Sequence, residues 1–450
     1  MTASGKIHGQ WSSRLAFIIA ASGSAIGLGN IWKFPYLLGE NGGGAFVLVY
    51  LACVLGIGLP IMMAETLLGR RGRQNPINTM ATLAGQAGAS RIWRYAGWLG
   101  VLAGFLILSY YSVIAGWSMA YLFKMAGGFI DGASTETARQ AFQELKDAPD
   151  RQLIWHTLFM GATVVIVSRG VSDGIEKVTR LMMPGLLLML LLLDIHAVRT
   201  EGFAEGMSFL FKVDFDKLTG ESLLIAMGQA FFSLGLGMGS IMVYGSYLPA
   251  HVSIARSSAI VAGLDTAVAL LAGIAIFPVV FTHHLEPGMG PGLIFETLPL
   301  AFVQMPGGTL FGTVFFILAF FAAITSAIAL IEPAVAWLSE NAGLSRQRAS
   351  AYAGSACWLL GVGTVLSFNR GSDLTLAGRN FFEFIDFLTA DIMLPAGGLL
   401  VAIFAGWVMK REHSEEELEM GAWYCYWRPL IRYLAPAAVV IIFLHAMGLL

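Results

Sequence analysis

The stretch from Ser22 to Asn30, SGSAIGLGN, lies inside the first long apolar run of the chain. Glycine inside a helix costs about 1 kcal/mol relative to alanine, so three glycines here predict a break in the helix. Irregular backbone at membrane depth is tolerated only where it lines a cavity or is buried in protein. The freed carbonyl groups can bind a cation, and the N-terminus of the next half-helix can hold an anion.

A second break of this kind is predicted in the sequence QAFFSLGLGMGSIMVYGSY, from Gln229 to Tyr247. Again a Gly-x-Gly core interrupts an apolar run near its middle. Glycine-interrupted segments at corresponding positions of two halves indicate a transporter with inverted repeats and a binding site near the membrane midplane.

The composition places these breaks in a membrane protein. The 450 residues are 56% hydrophobic and only 12% charged, and the mean hydropathy is +0.71. A soluble globular protein carries about 25% charged residues, and a membrane helix needs about 20 apolar residues. We predict an all-α membrane protein with about eleven spans, at residues 12–36, 41–69, 93–124, 152–168, 174–198, 220–248, 254–282, 307–340, 349–366, 379–409 and 427–448.

The basic residues of the connecting loops fall on one side of the membrane if the N-terminus is cytoplasmic, as the positive-inside rule requires. Eleven spans then place the C-terminus outside, and we expect a multi-pass protein of the cell (inner) membrane. The net charge of −2 gives no indication of nucleic-acid binding. The basic residues concerned are Arg70, Arg71, Arg73, Arg91, Arg94, Arg169, Lys177, Arg180, Arg256, Arg346, Arg348, Lys410 and Arg411.

Five stretches in order resemble the neurotransmitter:sodium symporter family, in its bacterial amino-acid (leucine-transporter-like) branch. They are WSSRLAFIIAASGSAIGLGNIWKFPY, ENGGGAFVLVY, GQAFFSLGLGMG, GLIFETLP and FFAAITSAIAL. The resemblance implies two five-helix inverted repeats with broken helices 1 and 6, followed by helix 11. The implied units are residues 1–198, an outer loop at 199–219, the second repeat at 220–409, and helix 11 with the C-terminus at 410–450.

The resemblance also implies two sodium ions as cosubstrates, bound by oxygen atoms as hard cations prefer. Backbone carbonyls supply part of each site and polar side chains the rest. The implied ligands are Ala25, Asn30, Ser233 and Asp265 for the first ion, and Gly23, Ile26, Ala322, Thr325 and Ser326 for the second.

The implied substrate is a neutral L-amino acid. Family members that carry monoamines have an aspartate in the first break, where this chain has Gly27, and an uncharged pocket would leave a charged side chain unpaired at high cost. Gly235 replaces a bulkier residue of the leucine-type member, which favours a large aliphatic or aromatic side chain. The implied contacts are Ala25, Leu28, Gly29, Ile107, Tyr111, Phe232, Ser233, Gly235, Met238, Ser326 and Leu330.

Gates and a hinge are implied for alternating access. An outer pair would join Lys33 to Asp386, where the family usually has arginine at the first position. An inner network would join the N-terminus to Glu340 with Trp11, Arg14 and Tyr247, although His8 stands at the expected basic position, with Lys6 nearby. Gly174 and Pro184 have the spacing with which a relative unwinds its fifth helix. Glu65 is a further functional candidate, because a carboxylate inside a span rarely lacks a role.

Chloride independence is expected from the set Tyr50, Gln229, Ser233, Asp265 and Ala269. Asp265 stands where chloride-dependent relatives carry asparagine, so its carboxylate would replace the anion beside sodium. The alternatives that remain open are an amino-acid sensor without flux and a channel. An enzyme is not expected, since the chain has no metal-ligand spacing and no nucleophile motif such as G-x-S-x-G. The sequence leaves open whether the chain is a monomer or a homodimer.

Overall fold

The apolar runs fold as α-helices, because only a helix satisfies the backbone hydrogen bonds of a single segment in hydrocarbon. The computed structural model describes residues 9–130, 135–285 and 292–446. Its longer helices are α1 (Arg14–Ala25), α2 (Gly29–Glu40), α3 (Gly44–Gly72), α4 (Pro76–Gln86), α5 (Arg91–Ala126), α6 (Thr135–Asp147), α7 (Pro149–Ser168), α8 (Val171–Ala197), α9 (Phe203–Phe211), α10 (Gly220–Ser233), α11 (Ser240–Ser246), α12 (Ile254–Thr282), α13 (Leu293–Gln304), α14 (Gly308–Asn341), α15 (Arg346–Ser367), α16 (Phe381–Val408), α17 (Arg411–Leu418) and α18 (Gly421–His445).

Each of the eleven predicted spans coincides with one of these helices or a pair of them. In the described part of the chain, eight helices are long and apolar enough to cross a membrane, and the bent pair α1 and α2 makes a ninth span. The other two predicted spans correspond to α7, which has 20 residues, and to the short helices α10 and α11. The protein is therefore an all-helical membrane protein, with boundaries shifted by a few residues from those predicted.

The first break lies between α1 and α2, whose axes differ by 56°. The hydroxyl of Ser13 caps the start of α1 by accepting from the amide of Ala16 at 3.2 Å. At the other end, Ile26 leaves the helix with extended dihedral angles, and its amide closes the last turn on Ser22. The backbone between Ile26 and Gly29 is thus released from the helix, as the glycine-rich sequence predicts.

The second break separates α10 from α11 over residues 234–239. Gly235, Gly237 and Gly239 have φ angles of 65°, 79° and 72°. Residues with a Cβ avoid this left-handed region, so glycine at alternate positions allows the backbone to adopt the turn that separates α10 from α11.

Close helix packing holds the second break in place. A Cβ added at Gly69 of α3 would lie 1.9 Å from the carbonyl oxygen of Met242, and one at Gly245 would lie 2.6 Å from that of Thr66. The backbones of α3 and α11 therefore touch, as small residues permit in membrane helix pairs. This contact brings Glu65 of α3 to the unwound segment.

Candidate functional site

A cavity lies between the two breaks, closed on its sides by α5 and α14. Ten of the eleven predicted substrate contacts line it. The eleventh, Leu28, does not line it, but its amide donates to the Tyr111 hydroxyl at 3.4 Å. The lining residues are Ser24, Ala25, Gly27, Gly29, Asn30, Ile107, Tyr111, Phe232, Ser233, Gly235, Met238, Ser326 and Leu330.

One end of the cavity is polar and the other apolar, and no residue that lines it is charged. A Cβ at Gly27 would lie 2.9 Å from Oγ of Ser326 and 3.3 Å from the hydroxyl oxygen of Tyr111. Any side chain at position 27 would therefore fill the polar end. At the other end, Ile107, Met238 and Leu330 are buried and offer no polar group to a ligand apart from the thioether of methionine.

The predicted first sodium set comes together around Asn30. Its amide nitrogen lies 3.1 Å from Oγ of Ser233, 2.8 Å from Oδ1 of Asp265 and 3.3 Å from the backbone oxygen of Asp265. The second carboxylate oxygen of Asp265 accepts from Ser233 at 2.7 Å. Side chains from α2, α10 and α12 thus converge on one small volume, where most of the atoms that could bind a metal ion are oxygens. The remaining predicted member, Ala25, lines the adjoining cavity.

The predicted second sodium set comes together around Ser326 of α14. Its hydroxyl lies 3.3 Å from the carbonyl oxygens of Gly23 and Ser24 and 3.4 Å from that of Ile26. These are backbone oxygens at the end of α1 that the break leaves without their usual helical donors. Thr325 donates its hydroxyl to Phe321 at 2.9 Å and approaches the carbonyl of Ala322 at 3.2 Å.

Glu65 is fully buried and holds the second break. Its Oε1 accepts from the backbone amide of Gly237 at 2.7 Å. Among the described residues, neither Glu65 nor Asp265 forms a salt bridge. Near the cavity, two carboxylates therefore lack a salt-bridge partner among the described residues. One of them, Asp265, belongs to the predicted first sodium set.

The other residues of the set from which chloride independence is expected are buried. Tyr50 and Ala269 have no exposed surface, and Gln229 is 2% exposed. Both amide atoms of Gln229 are without a hydrogen-bond partner in the part of the chain that the structure describes. Gln229 is thus a buried amide with hydrogen-bonding capacity that the described residues leave unused.

On the side of the N-terminus the structure corrects the predicted network. Trp11 donates to the carbonyl of Tyr244 at 2.9 Å, and Tyr247 donates its hydroxyl to Glu332, not to Glu340, at 2.7 Å. Glu332 is fully buried and pairs with Arg346 at 2.5 Å.

Glu340 serves a different contact from the one predicted. Its carboxylate accepts from the backbone amide of Asn75 at 3.0 Å and so binds α14 to the loop before α4. Lys6 and His8, the expected basic partners, lie outside the described residues. Arg14 has a buried Nε atom without a hydrogen-bond partner there, and it does not join the network.

The outer pair is not formed in this conformation. The Lys33 ammonium lies 4.4 Å from the centre of the Phe232 ring, and no described salt bridge joins it to Asp386. The predicted ion pair is replaced by a cation–π contact above the substrate cavity, which lysine can make as a compact point charge. An outer cavity of about 440 Å³ opens beside Lys33 and Phe232 and extends to Arg379 and Asp391.

The predicted hinge residues lie in a continuous helix. Gly174 falls inside the first turns of α8 instead of starting it, because α8 begins at Val171. A Cβ at Gly174 would lie 2.1 Å from the carbonyl of Ile166, so glycine is required there for contact with α7. Pro184 interrupts the hydrogen bonds of α8 in its middle.

Several residues of the site were missed from the sequence. Ser24 lines the cavity, although the sequence indicates only that it belongs to the break. Glu176 binds Ser12 through both its oxygens, and Glu332 joins Tyr247 to Arg346. The signal for Glu332 was present, since it is a carboxylate inside a predicted span, which is the same criterion that singled out Glu65.

A helical membrane bundle with two interrupted helices facing one uncharged cavity is the architecture of a secondary transporter. The chain matches the Sodium:neurotransmitter symporter family over residues 8–130 and 144–449. It belongs to this family and is a sodium-dependent symporter and multi-pass membrane protein, not an enzyme.

Relatives and a solved structure agree with this assignment. The chain is 40% identical over 446 residues to the uncharacterized sodium-dependent transporter YhdH of Bacillus subtilis, covering 98% of both proteins. It is 27% identical to the sodium- and chloride-dependent GABA transporter 2 of Homo sapiens, over 98% of this chain and 80% of the relative. The crystal structure of MhsT in complex with L-phenylalanine is similar with a TM-score of 0.90 and 42% identity, over 97% of this chain and 99% of MhsT. This similarity identifies the fold as that of leucine-transporter-like proteins.

Proposed function

We propose that this protein couples the inward movement of two sodium ions to the uptake of a neutral L-amino acid with a large hydrophobic or aromatic side chain. The observation that carries the proposal is the convergence of backbone carbonyl and side-chain oxygens, none of them bonded to a cationic side chain among the described residues, at one end of an uncharged cavity. The structure of MhsT with L-phenylalanine supports the substrate class, since the two proteins are 42% identical.

The substrate would lie with its charged ends at the polar end of the cavity. Its carboxylate would accept from the Tyr111 hydroxyl and the amides near Leu28 and Gly29, at the N-terminus of α2, where the helix dipole favours an anion. Its ammonium would face backbone carbonyls near Ala25 and Phe232 and the hydroxyl of Ser326. The absence of a charged side chain from the lining supports a neutral substrate, because an unpaired charge would be desolvated there.

The first ion would bind between Asn30, Ser233 and Asp265, next to the substrate carboxylate. As the side chains stand, the nitrogen of the Asn30 amide faces Asp265 and its oxygen accepts from Gly27. A half-turn of this amide would present the oxygen to the ion. The second ion would take the place at the end of α1 where three carbonyl oxygens now surround the Ser326 hydroxyl.

The energy of two ions suffices for this task. A tenfold sodium gradient gives about 1.4 kcal/mol per ion, and a potential of about 100 mV adds about 2.3 kcal/mol per charge. Two ions supply roughly 7 kcal/mol, enough to concentrate a neutral substrate about 10⁵-fold.

Transport would proceed by alternating access in the cell (inner) membrane, with the N-terminus cytoplasmic and the C-terminus outside. The repeats would be residues 1–198 and 220–409, with an outer loop at 199–219, and helix 11 would lie in 410–450. Lys33 and Asp386 would pair when the outer side closes, and α8 would open between Gly174 and Pro184 on the inner side. Chloride would not be required, because Asp265 supplies a negative charge beside the first ion.

Uptake into proteoliposomes tests the proposal. A mixture of the twenty amino acids should be depleted selectively in leucine-like and aromatic members when sodium is outside, and not when potassium replaces it. Binding that requires sodium but is not followed by accumulation would indicate a sensor, and single-channel current would indicate a channel. Accumulation that is equal in sodium and potassium would contradict the proposal.

A further inference from the structure

The backbone of Gly23 is enclosed between two side chains from different helices. A Cβ added at Gly23 would lie 3.1 Å from Cβ of Thr325 and 3.3 Å from Sδ of Met183. Thr325 belongs to the proposed second sodium site, whereas Met183 belongs to α8 and has no part in that site. Met183 is 4% exposed, so its thioether is held against the backbone whose carbonyl would bind the ion.

Met183 belongs to a buried stripe of α8 that leads from this position toward the N-terminal side. Glu176, Thr179 and Met183 recur at helical spacing and are all buried. Glu176 accepts from the backbone amide of Ser12 at 3.0 Å, just before α1 begins. Two turns of helix, about 10 Å, separate that contact from Met183.

Between the Glu176–Ser12 contact and Met183, the buried stripe of α8 has few oxygen atoms that could bind a sodium ion. The Thr179 hydroxyl donates to the carbonyl of Ile175 at 2.9 Å and is therefore turned toward its own helix. The thioether of methionine is a weak acceptor, and a hard cation such as sodium prefers oxygen. An ion that leaves the end of α1 along this face of α8 must pass a side chain that does not bind it.

We propose that Met183 is a hydrophobic seal that determines how fast the second sodium ion is released toward the cytoplasm. The inference rests on the proposed sodium site at Thr325 and Ser326. Methionine suits this role because its three rotatable bonds let the side chain move out of the way of the ion. Pro184, the next residue, removes a helical hydrogen bond at the same level and so weakens α8 where the seal must move.

A seal affects the rates of binding and release together, while a ligand affects the affinity. Met183→Ala should therefore accelerate dissociation of ²²Na⁺ from the purified protein by about fivefold or more, with the equilibrium dissociation constant changed by less than about twofold. Met183→Leu keeps the bulk and the apolar surface and should remain within about twofold of the wild type in both quantities. Met183→Val should give an intermediate rate, and it serves as the test if the alanine variant does not fold.

Met182→Ala is the matched control, because it makes the same change at the neighbouring, less buried position. It should leave the release rate unchanged. An unchanged rate in both Met183→Ala and Met183→Val would overturn the proposal, as would a loss of affinity in proportion to the faster release. An error in the proposed second sodium site would give a different result. The wild type would then bind no second ion, and the double variant Thr325→Val with Ser326→Ala would bind sodium as the wild type does.

Discussion

The first break, between α1 and α2, contains no positive φ angle within residues 22–30, whereas the second, between α10 and α11, has three such glycines in six residues. The first is held by hydrogen-bonding side chains, since Ser326 lies against its carbonyls and Asn30 caps the amide of Gly27. The second is held by glycine conformation and by one carboxylate, Glu65. The two breaks are thus held by different means.

This difference between the breaks suits two different roles: the first break offers oxygen atoms to an ion, and the second determines the shape of the cavity. Carbonyl oxygens that are to bind a cation cannot be occupied by helical hydrogen bonds. In the first break they are contacted instead by the hydroxyl of Ser326, a contact that an ion can displace. The second break mainly gives shape to the apolar end of the cavity, where a rigid turn is an advantage. We therefore expect substitutions at the second break to damage the fold, and substitutions around the first to damage ion binding selectively.

The largest effect should follow from Gly237→Ala in the second break. A Cβ there would lie 2.3 Å from the carbonyl oxygen of Leu394 and 3.1 Å from the amide of Gly398, at a φ of 79°. Because the obstacle is backbone, it cannot move aside as a side chain would. We expect the melting temperature to fall by at least about 5 °C and uptake to be lost.

Gly263→Ala in α12 is the control for this prediction, because a Cβ there meets nothing within 4 Å and the backbone is helical. Thermal unfolding of both variants in detergent provides the measurement. Equal melting temperatures for the two variants would show that the second break tolerates a side chain and that glycine does not hold it.

The next effect concerns the first break. Thr325→Val combined with Ser326→Ala removes two hydroxyl ligands while leaving the carbonyls of Gly23 and Ile26 in place. We expect sodium affinity to fall at least about tenfold, or about 1.4 kcal/mol, with a melting temperature near that of the wild type in the absence of sodium. Titration of sodium against substrate binding provides the measurement.

Thr163→Val is the control for this prediction, because it removes a threonine hydroxyl that bonds to the preceding helical turn and is not a proposed sodium ligand. Thr163 of α7 donates to Phe159 as Thr325 donates to Phe321, at 3.0 Å and 2.9 Å, but it lies away from the cavity. It should not change sodium affinity. If the double variant keeps the sodium dependence of the wild type, the hydroxyls only bond to the preceding turn and the second site is wrong.

The third effect concerns Asp265, which connects the two breaks by accepting from Asn30 of the first and Ser233 at the edge of the second. Wild-type uptake should be the same in chloride and in gluconate. Asp265→Asn removes the negative charge beside the first ion, and we expect it to lose most uptake in gluconate and recover part of it in chloride. Adding Ala269→Ser should increase the recovery by supplying an anion ligand.

Glu65→Gln is the matched control, because it also neutralises a buried carboxylate beside a break. Its uptake should fall without any recovery in chloride, since Glu65 binds the amide of Gly237 and not an ion. Wild-type uptake that stops when chloride is removed would show that Asp265 does not replace the anion.

Glycine content and apolar length are local properties, so the sequence alone predicted the positions of both breaks, whereas the ten predicted contacts that line the cavity were implied by the resemblance to the symporter family. The sequence did not predict the partners of the inner network. Trp11 and Tyr247 were expected to meet Glu340, but the packing of α1 against α11 and α14 brings them to Tyr244 and Glu332. Such pairings depend on helix rotation and depth, which a single sequence does not specify. Similarly, Lys33 has two attractive partners, and only the conformation decides between Phe232 and Asp386.

The smallest effect should follow from Gly235→Ala, which tests whether the second break also sets substrate size. A Cβ there would lie 3.8 Å from Sδ of Met238 and 3.9 Å from Oγ of Ser240, in ordinary contact. The φ of 65° adds strain of about 1–2 kcal/mol to the turn, and any loss of binding that follows from a disturbed turn should be common to all substrates. The added methyl group narrows the apolar end of the cavity, so binding of phenylalanine should weaken at least about threefold more than binding of valine.

Gly235→Asn separates the effect of backbone strain from the effect of side-chain size, because asparagine tolerates this backbone conformation but is larger than alanine. It should reduce the common loss and increase the difference between phenylalanine and valine. Competition binding with both substrates measures the ratio, and an unchanged ratio in both variants would mean that Gly235 serves only the turn.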